Sequence, residues 1–427
     1  MARNAKRKLG GVAAAITVTA LLGGCVATGG GASGITQDDT APLVIQSRFT
    51  DDAKGGLPAL IDAYQAQGGG EVTLNSTPSE SYRSQLPTFL TAQTPPDVYT
   101  WFAGQATRSF ADEDLLLDLS DIWSEDLGNY SEAQRKLSQN AAGKEVFIPT
   151  NYYWIAVYYR VSEFERLGVT PPETWQEFKE VSEKIKSQGV TPITIGLADN
   201  AWLAAGWFDY LNLRINGSQF HLDLLEGKES FEDPRVVKVF ETWKEILPYF
   251  DPSALGVPFQ QSTTDFAQGK AAMTLIGAWF QGSVPDDVKG DLGFFRFPII
   301  DPSVEIAEEG PTDGFFVSAN STHQKAAKDF MRYLASPEGA KVFMAAQGDT
   351  SLSANPDVKV ELSPLAQQGK DLLESADSLT QFYNRDAGDE LQPAADAALT
   401  RFLAEPDKLA EILADWQAAS VQARKSL

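Results

Sequence analysis

A chain of 427 residues has enough apolar material for more than one core, and 43% hydrophobic with 22% charged residues is ordinary globular composition rather than that of a disordered or membrane-embedded chain. Its 58 acidic against 35 basic residues give a net charge of −23, which argues against nucleic acid or an anionic lipid surface as a partner of the folded body. A single cysteine means that no disulfide can close within the chain.

The amino terminus differs from the rest. Arg3, Lys6, Arg7 and Lys8 precede an uncharged apolar stretch, Leu9 to Gly24, too short for a comfortable membrane span, so residues 1–24 have the layout of a secretory signal peptide. The stretch ends Leu22-Gly23-Gly24-Cys25, which resembles a bacterial lipobox, with Cys25 the lipid-modified first residue of the mature chain. Val26–Asp39 is rich in Gly, Ser and Thr and poor in apolar residues, so residues 25–41 are expected to be lipidated cysteine plus flexible tether. This places the protein on the outer face of the cell membrane, held by its lipid and standing off an anionic surface.

From Pro42 the pattern alternates. Leu43–Phe49 reads as a strand, Leu57–Ala66 as a helix, Glu71–Ser76 as a strand, then a helix with Tyr82, Leu86, Phe89 and Leu90 on one face, then a strand at Asp97–Trp101. Alternation of this kind predicts a parallel sheet with helices on both faces. The segment Val146–Arg160, VFIPTNYYWIAVYYR, is β-prone, and Pro149 excludes a regular helix there. Val157 and Tyr159 read as one buried strand face, whereas Tyr153 and Trp154, whose rings have polar edges, are read as a ligand surface, with a buried sheet core as the alternative. Beyond it, Thr174-Trp175-Gln176-Glu177 fits a capping box, Val190–Leu197 a strand, and Trp202–Leu213 a helix ending at Asn216-Gly217. Asp233-Pro234 starts another helix. Ala271–Ile276 and Leu292–Ile299 read as strands, Gln324–Leu334 as a helix with a second opened by Ser336-Pro337-Glu338, and Leu391–Leu403 and Leu409–Trp416 as helices.

Catalytic signatures are missing. His221 and His323 lie far apart, and His323 reads as a solvated surface residue; with the only cysteine at the lipobox, no His/Cys metal set exists. The sequence has no G-x-S-x-G, GxGxxG or phosphate-loop motif. Carboxylate pairs such as Asp112/Asp114 and Glu308/Glu309 read as solvated faces.

One segment carries a specific likeness. Phe266-Ala-Gln-Gly-Lys-Ala-Ala-Met-Thr-Leu-Ile-Gly-Ala-Trp279 resembles the F-x-x-G-K-[AV]-A-M-x-x-x-G-x-W run of extracellular solute-binding proteins, the saccharide receptors of ABC importers. Pro96–Trp101, Ala156–Gly168 with Pro171–Trp175, Phe208–Leu211 and Gly314–Asn320 with the following helix pair resemble the same family in the same order. The resemblance implies an α/β fold of the two-lobed periplasmic-binding-protein type (type II), with a ligand cleft between the lobes. The chain would cross between lobes three times, near Pro149, Phe297 and Gly348. The N-terminal lobe would then be residues 42–148 plus 299–347, and the C-terminal lobe 149–298 plus 348–427. It implies sugar contacts from Trp279, Tyr153 and Trp202, an aromatic of the opposite lobe at Trp101, and a neutral hydrogen bond from Gln105 where a relative has a carboxylate. Trp154, Glu80, Asp313 and Asp386 complete the expected ligand set. The implied function is a monomeric, cofactor-free receptor that passes a saccharide to the permease subunits of an ABC importer. The alternatives are a secreted carbohydrate-active enzyme with paired carboxylates, or a receptor for a non-sugar solute such as a polyol.

Overall fold

The computed structural model describes residue 37, residues 41–50 and residues 56–425; the expected signal peptide, Cys25 and nearly all of the expected tether lie outside the described residues. In chain order the strands are β1 (Leu43–Ser47), β2 (Val72–Ser76), β3 (Val98–Phe102), β4 (Ile148–Tyr152), β5 (Ile155–Arg160) and β6 (Thr191–Ile193). They continue with β7 (Ala271–Gly277), β8 (Leu292–Phe295), β9 (Ala307–Glu309), β10 (Thr312–Val317), β11 (Leu352–Ser353) and β12 (Ser378–Thr380).

Two main sheets result. The larger has the order β11-β4-β10-β3-β1-β2, the smaller β6-β7-β5-β8, and β12 pairs with β9 in a two-stranded ribbon. Neither main sheet is parallel throughout, contrary to the expectation from alternation. β2, β1 and β3 are parallel, but β10 runs antiparallel to both β3 and β4, and β5 runs antiparallel to β7 and β8. The reason is topological: β10 and β11 enter the larger sheet from chain that has already built the smaller one. The chain passes from the larger sheet to the smaller at residues 153–154, returns between β8 and β10, and leaves the larger sheet again after β11. Pro149 itself lies inside β4, opposite Gly314 where the register shifts.

Strand periodicity sorts the larger sheet into two cores. Val98 and Phe315 pack on one face with Ile45, Leu60 and Phe330, while their neighbours Tyr99 and Phe316 pack on the other with Tyr82, Leu86 and Phe147. A larger cluster surrounds the smaller sheet, joining Val157 and Met273 to Phe178, Trp207, Phe240 and Trp416. The first helix, Leu57–Ala66, has the expected bounds and buries Leu57, Leu60, Ile61 and Tyr64. Thr174 and Glu177 form the capping box, each side chain closing the other's backbone donor.

Several local expectations are corrected. The strand expected over Val190–Leu197 stops at Ile193; after Thr194 N, which still donates to Met273 O (2.9 Å), the chain turns to the segment 254–257, where Leu197 N donates to Ala254 O (3.0 Å). The helix expected to end at Asn216-Gly217 only breaks there: Gly217 takes φ 80°, and helix resumes to Leu225 with Ser218 N donating to Glu305 Oε1 (3.0 Å). His323 is not a solvated surface group; its Nδ1 lies 2.9 Å from the buried Asp97 carboxylate. Glu308 and Glu309 are not on a solvated face either. Both are 0% exposed, because β9 runs beneath the helix Leu203–Leu225, whose Arg214 pairs with Glu308 at 2.5 Å.

Candidate functional site

The ends of β1, β3, β4 and β10 converge with the segments that follow β7 and β12 on a cavity of about 480 Å³. One side is polar and comes from the larger sheet. Arg48, just past β1, donates from Nη2 to Asp313 Oδ2 (2.6 Å), and Asp313 Oδ1 accepts from Arg385 Nη1 (2.8 Å). Arg385 Nη1 also donates to Thr312 O (2.8 Å) and its Nη2 to Tyr153 Oη (2.7 Å), so one buried guanidinium fixes a carboxylate, a strand carbonyl and a phenol. The guanidinium carbons of Arg48 and Arg385 stand 4.6 and 4.2 Å from the centre of the Phe102 ring, with Arg83 at 5.7 Å. Burial pushes the Tyr153 phenol up to about 12, with the charge of Arg385 opposing, so it stays a neutral hydrogen-bonding group.

The other side is aromatic. Trp202 opens the helix Leu203–Leu225, its Nε1 donating to Asn200 Oδ1 (3.0 Å), and Trp279 sits two residues past β7 in the 3-10 helix Ala278–Gly282. Their ring centres are 6.2 Å apart; Trp279 also meets Phe259 at 5.4 Å, and Trp202 meets Phe382 edge-on at 5.6 Å. Gly277 is required by close approach rather than by its dihedrals: its φ is −73°, but a Cβ there would stand 2.6 Å from Trp279 Nε1 and 3.1 Å from the Tyr153 ring. Flat rings opposite oriented amides, guanidinium groups and a carboxylate suit a ligand with apolar C–H faces and a rim of hydroxyls. Among the described residues there is no group of three or more His, Cys, Asp or Glu side chains that could hold a metal.

The family model described as bacterial extracellular solute-binding protein matches residues 50–341. The chain belongs to this family. Members and structural neighbours are solute receptors, not enzymes. The chain is 27% identical over 346 residues to the alpha-glucosides-binding periplasmic protein AglE of Rhizobium meliloti, covering 73% of each. It is 25% identical over 300 residues to an uncharacterised ABC transporter extracellular-binding protein of Pyrococcus horikoshii, covering 67% of this chain but 63% of that relative; a second protein from the same organism is covered over 59% of its length. Among solved structures it is similar to the bacterial solute receptor AcbH, whose description states an exclusive preference for β-D-galactopyranose, with a TM-score of 0.85, 26% identity, and 90% of this chain and 99% of that one covered. The maltose-bound MalE3 of T. maritima shares the fold, with a TM-score of 0.73 at 16% identity over 90% of this chain and all of that one.

Of the residues expected in the solute-binding site, the structure brings Tyr153, Trp202, Trp279, Glu80 and Asp313 to the cavity wall. Trp101 and Trp154 do not line it. Each precedes or follows a lining aromatic by one position, and adjacent extended residues point to opposite sides. Trp101 is 1% exposed and donates from Nε1 to Ala106 O (3.0 Å), leaving Phe102 on the wall; Trp154 is 0% exposed, packed on Phe294 and Gly369, leaving Tyr153 on the wall. Gln105 starts a helix away from the cavity and accepts from Arg108 (3.3 Å). Asp386 lies behind the wall, accepting from Gln381 N (2.8 Å), and burial pushes its carboxyl up to about 6. Sequence reasoning missed Arg48, Arg83, Arg385 and Phe382, isolated residues with no motif around them, and Phe102, which follows the run Pro96–Trp101 but was passed over for its neighbour Trp101.

Proposed function

We propose that this protein is the extracellular receptor of an ABC importer, anchored through a lipid on Cys25 to the outer face of the membrane, which captures a saccharide and delivers it to the permease. The observation that carries the reading is the composition of the cavity: Trp202 and Trp279 stand beside the smaller sheet, and the Arg48–Asp313 pair beside the larger. A pyranose stacked on the first and hydrogen-bonded to the second contacts both cores, so binding favours an arrangement in which they approach. The two lobes are then the two main sheets with their helices, divided at the three passages of the chain.

The first sugar to test is D-galactose, given the likeness to a receptor described as preferring β-D-galactopyranose; α-glucosides come next, from the likeness to AglE. A thermal-shift screen over mono- and oligosaccharides identifies the ligand, because a molecule that binds only the native state raises its melting temperature. Small-angle scattering should then show a smaller radius of gyration with the sugar bound, and the recovered sugar should be intact. Cleaved sugar in more than stoichiometric amount, or no response to any sugar, defeats the proposal.

A further inference from the structure

Behind the cavity wall lie two carboxyl groups that no sugar contact explains. Asp209 in the helix Leu203–Leu225 and Glu309 at the end of β9 are both 0% exposed. No protein donor reaches either oxygen of Glu309, nor Asp209 Oδ1. The two carboxyl groups are each other's hydrogen-bonding neighbours instead. Two buried acceptors in contact need a proton between them, since a pair of bare carboxylates in that position would repel with nothing to offset it.

The surroundings keep the proton there. On the same helix, Tyr210 Oη lies within hydrogen-bond reach of Ile155 O (2.8 Å) and Glu308 Oε2 (3.0 Å), donating its one proton to either, and Arg214 binds Glu308. Arg296, ahead of β9, also reaches Glu308 (3.0 Å), so the nearby cations are spent on Glu308 rather than on the pair. Past the kink, His221 Nε2 lies 3.8 Å from Asp209 Oδ1, but burial holds its imidazole down to about 3, so it brings no charge. From the segment after β12, Asp386 adds a second negative field and the Tyr383 phenol stays protonated; Arg385 there is engaged by Asp313. Burial, then the charge of Asp209, lifts the Glu309 carboxyl well above the usual carboxylate range.

Both acids hold pieces of the binding site. Asp209 Oδ2 accepts from Tyr383 N (2.9 Å), the first residue of the short helix Tyr383–Asp386 that carries Asn384 and Arg385 to the cavity. Glu309 leads directly into Gly310, Pro311 and Thr312, whose carbonyl oxygens accept from Gln381 Nε2 (3.1 Å), Tyr153 N (3.2 Å) and Arg385 Nη1 (2.8 Å), and then into Asp313. We propose that Asp209 and Glu309 are a positioning pair whose shared proton clamps together the two segments that deliver Arg385 and Asp313, so that ligand retention weakens when the proton leaves. The inference rests on the cavity being the saccharide site. Parting of the two carboxylates moves Arg385 relative to Asp313, and by linkage a bound sugar makes the proton harder to remove.

The test compares the parent with Glu309→Gln and Asp209→Asn. Without sugar, the parent's melting temperature should fall relative to Glu309→Gln as pH rises above about 4.3, the value of an unfolded glutamate, because the folded state keeps a proton that the unfolded chain has already released. Calorimetric titration with D-galactose and with maltose should show the parent losing roughly fivefold or more in affinity once the pH is high enough to remove the shared proton, with Glu309→Gln changing less than about twofold across the same series. Parallel melting profiles, or the same pH dependence of affinity in parent and variants, overturn the proposal. Failure of both sugars to bind any of the proteins at any pH counts against the sugar reading instead, and the melting profiles then decide the proton on their own. If Glu309→Gln does not fold, Asp209→Asn carries the same comparison.

Discussion

Replacing Trp279 by alanine separates a wall of the site from a part of the core. The ring is partly exposed and has two aromatic neighbours, Trp202 at 6.2 Å and Phe259 at 5.4 Å. Each such contact is worth about 0.5–1.5 kcal/mol beyond area burial, so the fold should lose ~1–3 kcal/mol. Binding should lose ~2 kcal/mol or more, a factor of about thirty in affinity, as central interface aromatics do. Trp154→Ala is the matched control: that ring is 0% exposed against Phe294 and should cost ~3–5 kcal/mol of stability. Where Trp154→Ala still folds, its affinity should stay close to the parent's, since the ring does not reach the cavity. Calorimetric titration with the sugar found in the screen, beside denaturant melts of both variants, reads the two quantities separately. An unchanged affinity for Trp279→Ala together with a loss of stability as large as that of Trp154→Ala would refute the assignment.

Gly277→Ala should lower sugar affinity with a smaller effect on melting temperature, since the new methyl displaces the Trp279 and Tyr153 rings; equal affinity in titration would show that the rings are free to yield. Cys25→Ala should fold as the parent does and appear in the soluble fraction after cell lysis, and persistence in the membrane fraction would remove the lipid anchor from the proposal. Asp386→Asn should gain melting temperature relative to the parent as pH rises from about 4 to about 6. The Asp386 carboxyl is raised by burial to about 6, so the parent's folded state holds that proton longer than its unfolded chain and loses stability across that window. A pH-independent difference between the two would mean that Asp386 is not desolvated.

What could be read from the sequence was local. The run Phe266–Trp279 encodes a helix end, a strand and a delivered indole within fourteen consecutive positions, and Trp279 lines the cavity. The aromatic block at Tyr153–Trp154 was legible as a junction, but not which ring faced the cavity, because that depends on a strand's phase against a distant sheet. Nothing local announces Arg48, Asp313 and Arg385 as one network. They come from three separate passages of the chain: the sheet order β10-β3-β1 sets Asp313 near Arg48, and the short helix Tyr383–Asp386 brings Arg385 to both. Glu308 and Glu309 misled for the same reason: two adjacent acids look solvated until Arg214 and Arg296 arrive from elsewhere beside Glu308, and Asp209 beside Glu309.

The joint between the first and second passages of the chain is made by main-chain atoms, Tyr153 N donating to Pro311 O at 3.2 Å. Such a bond survives any side-chain change at residue 311 and any at residue 153 except proline. The cavity's fittings can therefore be exchanged while this joint remains, which makes the scaffold a practical host for sensors. A reporter fluorophore placed near the joint should keep its response while the wall residues are redesigned for another solute.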